Sequence, residues 1–165
     1  MVSEVWAGLA TITDYYASQT PSMFNFDGAD TEGKLIKTAR GNYKAEKFVN
    51  SMLTYQNDFG EVYDGYIDAP FIANHDMGRV SNSLNANAND MKMAAGLLMT
   101  MNGSPFVYYG EEIGMASSGK KDENKRLPMI WSDTDKTGMT KGPKDADDGI
   151  TSSFSGVEEQ MEDQT

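Results

Sequence analysis

At 165 residues and 18.1 kDa the chain has room for one compact domain, and with 39 % hydrophobic and 24 % charged residues it is neither a disordered nor a membrane-spanning sequence. Its formal net charge of −11 argues against a nucleic-acid partner, which needs clustered Lys and Arg to meet the phosphate backbone. It has no cysteine, which excludes disulfides and thiolate metal sites, and no apolar run approaches the ~18 residues of a transmembrane helix.

Residues 2–6 read as a minimal strand with Glu4 near its end. Met1 is followed by Val-Ser-Glu rather than a basic segment and an apolar core, so no signal peptide is expected and the compartment stays unassigned. Residues 11–17 fit a short helix capped by Thr11 or Thr13. Residues 22–27 alternate apolar and polar side chains before Gly28, the pattern of a short strand, and 28–33 form a polar loop. Over 42–59 the residues Ala45, Phe48, Val49, Met52, Leu53 and Tyr55 recur at helical spacing, with Gly60 as the stop. Residues 66–73 are the next strand, and Pro70, having no amide hydrogen, is expected near its start or where no ladder bond is needed. After a polar stretch over 81–89, Met91, Ala94, Ala95, Leu98 and Met101 mark a helix capped by Asn89 or Asp90, with its methionines filling the core. Gly103 ends that helix, and 105–109 are the fourth strand.

Strands centred near positions 5, 24, 71 and 107 alternate with helices. Such a βαβαβαβ order implies parallel strands with right-handed crossovers. The mean interval of ~34 residues is close to the ~31 of one unit in an eight-unit β/α barrel. The fold expected is α/β, a partial TIM barrel of about four consecutive parallel β/α units, because 165 residues fall short of the ~250 a full barrel needs. On this division residues 1–115 carry half of the barrel, and 116–165 form a long loop and the start of a helix. That tail is rich in Gly, Lys, Asp and Ser, with one apolar island, Leu127-Pro128-Met129-Ile130-Trp131.

The chemistry gathers where strands end. Phe71-Ile72-Ala73-Asn74-His75-Asp76-Met77-Gly78-Arg79 passes abruptly from apolar to polar, and His75 is the only histidine in the chain. A pair of carboxylates at strand ends can supply a proton donor and a negative charge opposite a developing cation. Glu4 and Asp76 supply these if their strands lie side by side. Flanking Val5 and Trp6 would desolvate Glu4 and raise its affinity for a proton; otherwise it is a solvated strand-end carboxylate. His75 either donates to sugar hydroxyls or bonds a loop carbonyl. Trp6, Tyr108, Tyr109 and Trp131 are candidates to stack on pyranose faces, with barrel wall as the alternative for the tyrosines. Arg79 either pairs with a carboxylate bidentately or lies solvated. Asp133-Thr134-Asp135-Lys136-Thr137-Gly138 begins like a calcium loop but lacks its later ligands, and Asp145, Asp147 and Asp148 read as a solvated loop, so no metal site is assigned.

Three segments together, Val2-Ser3-Glu4-Val5-Trp6, Phe71-Ile72-Ala73-Asn74-His75-Asp76 and Gly103-Ser104-Pro105-Phe106-Val107-Tyr108-Tyr109-Gly110-Glu111-Glu112-Ile113-Gly114-Met115, closely resemble signature strands of the α-amylase family of glycoside hydrolases, in the family's order. Arg126-Leu127-Pro128-Met129-Ile130-Trp131 echoes the Arg-x-Pro-Met-x-Trp of relatives. The resemblance implies Glu4 as general acid/base, Asp76 as the carboxylate that stabilises the transition state, and His75, Asn74, Trp6 and Arg79 as substrate-binding residues. It implies a retaining mechanism on α-glucosidic bonds of starch-like glucans or maltooligosaccharides, with no cofactor and with calcium in some members. The family's nucleophile is an aspartate in an arginine-x-aspartate strand motif, and no such motif occurs here; the isolated chain is therefore expected to be inactive. The alternative is a non-catalytic carbohydrate-binding or interaction protein on the same scaffold.

Overall fold

The computed structural model describes residues 1–117, 121–147 and 154–163, which form two units: residues 1–72 with 92–106, and residues 73–91 with 107–117, 121–147 and 154–163. Asp148, assigned above to a solvated loop, and Thr165 lie outside the described residues.

The first unit is built on a parallel pair of strands, β1 (Ser22–Asn25) and β2 (Ile67–Pro70), in the register Ser22↔Ile67 to Asn25↔Pro70. A parallel bridge joins Ser3 to Met23 and another joins Phe71 to Phe106. The four predicted strand segments thus lie side by side in chain order, all parallel, but the first and fourth are single bridges rather than full strands. Pro70 ends its strand instead of starting it, and its carbonyl accepts the Phe106 amide at 2.8 Å.

Period-two alternation gives β1 two faces. Met23 packs with Ile12 and Tyr16 of helix α1 (Leu9–Ala17) and with Tyr55 and Phe59 of helix α3 (Ala45–Val62), all of them buried. Phe24 takes the opposite face, with ring centroids 5.2 Å from Phe71 and 4.8 Å from Phe106. Apolar side chains therefore cover both faces, as buried parallel strands require.

The helices differ from the predicted ones at their caps, ends and buried faces. In α1 the cap position is Gly8, and Thr13 instead donates its hydroxyl to the Leu9 carbonyl inside the helix. In α3 Gly60 is helical and the helix runs on to Val62. Its buried stripe is Phe48, Tyr55 and Phe59, while Val49 and Leu53, one position round, are exposed. A short helix α2 (Lys34–Ala39) buries Leu35 and Ile36 where the sequence predicts none, since six residues are too few to show a period. In the second unit α4 (Val80–Ser83) occupies part of the expected polar stretch. Helix α5 (Ala88–Thr100) buries Ala94 and Leu98. Its amides at Asn89 and Asp90 are capped by the side chain of Asn87, ahead of the two predicted cap residues. Met93 and Met99 are exposed, so those two methionines fill no core.

Gly103 follows α5 with φ +104°, and a Cβ there would lie 2.2 Å from the Asp68 carbonyl oxygen. Only glycine allows that approach, which lets the Ser104 amide bond the same carbonyl at 2.8 Å. In the second unit Leu127 and Ile130 of the apolar island pack on Ile113 and Met115. A short helix, α6 (Asp122–Lys125), precedes the island in the chain, and Val157 of another short helix, α7 (Val157–Glu162), packs on the same cluster. No helix among the described residues is long and apolar enough to cross a membrane.

Candidate functional site

Asn74, His75 and Asp76 share one tight turn shortly after β2. The turn is made by Asn74, whose side-chain oxygen accepts the Asp76 amide at 2.9 Å while its carbonyl accepts the Met77 amide at 3.3 Å. Asparagine does this because its short carboxamide mimics a backbone carbonyl two residues ahead. The result turns His75 and Asp76 outward. His75 is exposed, Asp76 half-buried, and the His75 Nε2 lies 3.4 Å from the Asp76 Oδ2.

Cations from α6 and the residue after it hold the turn. Arg126 Nη2 donates to Asp76 Oδ1 at 2.5 Å, Arg126 Nε donates to the His75 carbonyl at 3.1 Å, and Lys125 Nζ donates to the Asp76 carbonyl at 2.9 Å. Lys125 also pairs with Asp122 at 2.8 Å. Sequence reasoning names neither cation as a site residue. The available signal is Arg126 heading the Arg-x-Pro-Met-x-Trp echo, next to a lysine, in a chain of only three arginines.

Arg79 is neither solvated nor in a bidentate carboxylate pair. It is 1 % exposed, its guanidinium carbon lies 4.3 Å and 4.7 Å from the Tyr108 and Tyr109 ring centroids, and Nη1 donates to the Tyr109 carbonyl. Its Nε and Nη2 are buried without a hydrogen-bond partner. Stacking on tyrosine faces suits a weakly hydrated planar cation. Burial pushes the Glu111 carboxyl up to about 8, against the pull of the Tyr108 and Ala73 amides and the Arg79 charge. Tyr108 donates its hydroxyl to the Lys125 carbonyl at 3.0 Å and Tyr109 to the Leu127 carbonyl at 2.7 Å. Both hydroxyls are thus bonded within the protein, while the Tyr109 ring stays 39 % exposed.

Glu4 and Trp6 belong to the first unit. Glu4 follows Ser3, which exchanges backbone bonds with Ser22 and Phe24 at 2.8 Å and 3.0 Å. Glu4 is exposed, and Trp6 stacks on Phe26 at 5.2 Å and leaves 60 % of its surface open. An indole held on one face and open on the other can receive a sugar ring. In the candidate calcium loop the carboxylates serve backbone amides: Asp133 Oδ1 accepts Gly156 at 2.9 Å and Asp135 Oδ1 accepts Thr137 at 2.8 Å. Among the described residues no group of three or more acidic or histidine side chains is placed to hold a metal ion.

Parallel strands in chain order, followed by polar residues beyond their carboxyl ends, are the arrangement of a β/α-barrel enzyme, which builds its site there. The family model described as "Alpha amylase, catalytic domain" matches residues 1–164, and the chain belongs to that family. It is 34 % identical over 147 residues to the alpha-amylase SusG of Bacteroides thetaiotaomicron, covering 85 % of this chain and 20 % of that protein. It is 36 % identical over 133 residues to alpha-amylase 3 of Dictyoglomus thermophilum, covering 81 % of this chain and 26 % of that protein. Among solved structures, Eubacterium rectale Amy13B matches with a TM-score of 0.90 and 38 % identity over 99 % of this chain and 32 % of its own. The chain therefore spans between a fifth and a third of the length of these relatives, and the fold is a partial TIM barrel of the α-amylase type.

Proposed function

We propose that this chain supplies the acid/base and transition-state-stabilising part of a retaining glycosidase site that acts on α-glucosidic bonds of starch-like glucans or maltooligosaccharides. The observation that carries the reading is the Asp76 carboxylate, half-buried, set beside His75 and fixed by Arg126 in a turn shaped by Asn74. Asp76 opposes the positive charge that develops at the anomeric carbon, and His75 donates to a hydroxyl of the bound sugar. Glu4 protonates the leaving oxygen and later takes a proton from the attacking water. Trp6 offers its open face to a pyranose ring. Arg79 and Asn74 serve from behind, one under the tyrosines and one within the turn. Two carboxylates and a nucleophile suffice for this chemistry, so no cofactor is assigned. The nucleophilic aspartate must come from sequence other than these 165 residues, and the chain alone should not turn over substrate.

The test is hydrolysis of maltooligosaccharides by the full-length product of the reading frame that carries this chain. Glu4→Gln and Asp76→Asn should each lower kcat by about a hundredfold or more. Wild-type turnover in both variants would refute the assignment.

A further inference from the structure

We propose that Arg126 is a positioning residue for Asp76, set in place by Tyr108 and Tyr109; the proposal rests on the glycosidase reading above. Arg126 meets the turn at two points, its Nη2 on Asp76 Oδ1 and its Nε on the His75 carbonyl. A guanidinium is planar, so two bonds from one fork, one to the carboxylate and one to the neighbouring backbone carbonyl, hold the carboxylate oxygen at a fixed place relative to the turn. Lys125 adds a tie to the Asp76 carbonyl but none to the carboxylate.

The segment bearing these cations is itself held on both sides of Arg126. Tyr108 bonds the carbonyl of the residue before it and Tyr109 the carbonyl of the residue after it, at 3.0 Å and 2.7 Å. The buried Arg79 guanidinium lies against both rings and backs them. A chain of contacts thus runs from Arg79 through two tyrosines and two backbone carbonyls to Arg126, and from there to the carboxylate. It divides the work of one carboxyl group. Oδ1 is occupied by Arg126, and Oδ2, on the His75 side, is the oxygen left to accept a sugar hydroxyl. Without Arg126 the carboxylate is free to rotate about its last bond, and the productive orientation becomes one among several.

The experiment uses the full-length product of the reading frame and a maltooligosaccharide with a chromogenic leaving group. Arg126→Ala is expected to lower kcat about tenfold with KM within about twofold, since orientation rather than ground-state binding is lost. Added guanidinium ion should restore part of that rate. Arg126→Lys, which cannot span both acceptors, should fall between wild type and alanine, and it decides the matter if the alanine variant does not fold. The double variant Tyr108→Phe, Tyr109→Phe should lower kcat in the same direction. In an Asp76→Asn background Arg126→Ala should cost nothing further, whereas a merely structural role would cost as much there as in wild type. Wild-type kcat in Arg126→Ala, or an undiminished cost in the Asp76→Asn background, overturns the positioning role and leaves the glycosidase reading standing. Absence of any α-glucan hydrolysis by the wild-type protein overturns both.

Discussion

Asp68→Asn should make the first unit more stable at neutral pH and remove much of its pH dependence. Asp68 is 5 % exposed on β2, on the face it shares with Met23, among Tyr16, Tyr55 and Tyr66. Asn25 Nδ2 donates to its Oδ2 at 3.0 Å, but Asp68 Oδ1 and Asn25 Oδ1 are both buried without a partner. Burial raises the carboxyl from 3.8 to about 6, against the hydrogen bonds from Asn25 and Ala69. The folded state therefore holds a proton that the unfolded chain has already released, and stability falls as pH climbs from the unfolded value near 4 through the folded value near 6. A rise of that size costs roughly 3 kcal/mol, fully felt above about pH 7. A protonated Asp68, or an asparagine in its place, can donate to the orphaned Asn25 oxygen, which an ionised carboxylate cannot. Urea unfolding of wild type and Asp68→Asn, followed by tryptophan fluorescence at low protein concentration, gives the comparison. At about pH 4 the two midpoints should agree, and at about pH 8 the variant's should be higher by roughly 1–2 M. Glu111 titrates in both proteins and cancels in the difference. Parallel profiles, or a less stable variant at the alkaline end, would refute the reasoning.

Three further outcomes follow from the same structure. Glu111, raised to about 8 by burial, destabilises the second unit as pH rises between about 4.5 and 8; Glu111→Gln should flatten that slope, measured by thermal unfolding across the range. Gly103→Ala forces a Cβ against the Asp68 carbonyl at a positive φ and should cost about 2–3 kcal/mol, read from denaturant midpoints. The isolated chain should self-associate with rising concentration, because Phe106 and Val107 are 41 % and 46 % exposed where the fourth strand segment pairs by a single bridge; sedimentation of Phe106→Lys should show the association weakened, and an equally associated variant would count against this.

Much of the framework is visible in the residues. The alternation in 22–27 and the apolar run before Asn74 specify two strands that do pair in parallel, and the order of four segments is as expected. Helix periodicity places α3 and α5 within a few residues, because both are long enough for a stripe to repeat. The caps are less legible: the side chains that could cap by type, Thr13 in α1 and Asn89 in the first turn of α5, lose to Gly8 and to Asn87, which backbone geometry selects. The site splits in the same way. Asn74, His75 and Asp76 are contiguous and announce themselves, whereas the contact with Arg126 spans 50 residues and no local pattern encodes it. Arg79 misleads for a related reason. A lone arginine in a polar turn suggests solvent, and only the packed structure reveals two aromatic rings against it.

The tie between the 74–76 turn and residues 125–126 bears on how such barrels can be recombined. A crossover anywhere between Val80 and Lys121 gives the carboxylate one parent's turn and the other parent's cations. Segments 73–79 and 122–131 should therefore travel together, and libraries that shuffle α-amylase halves should keep them from the same source.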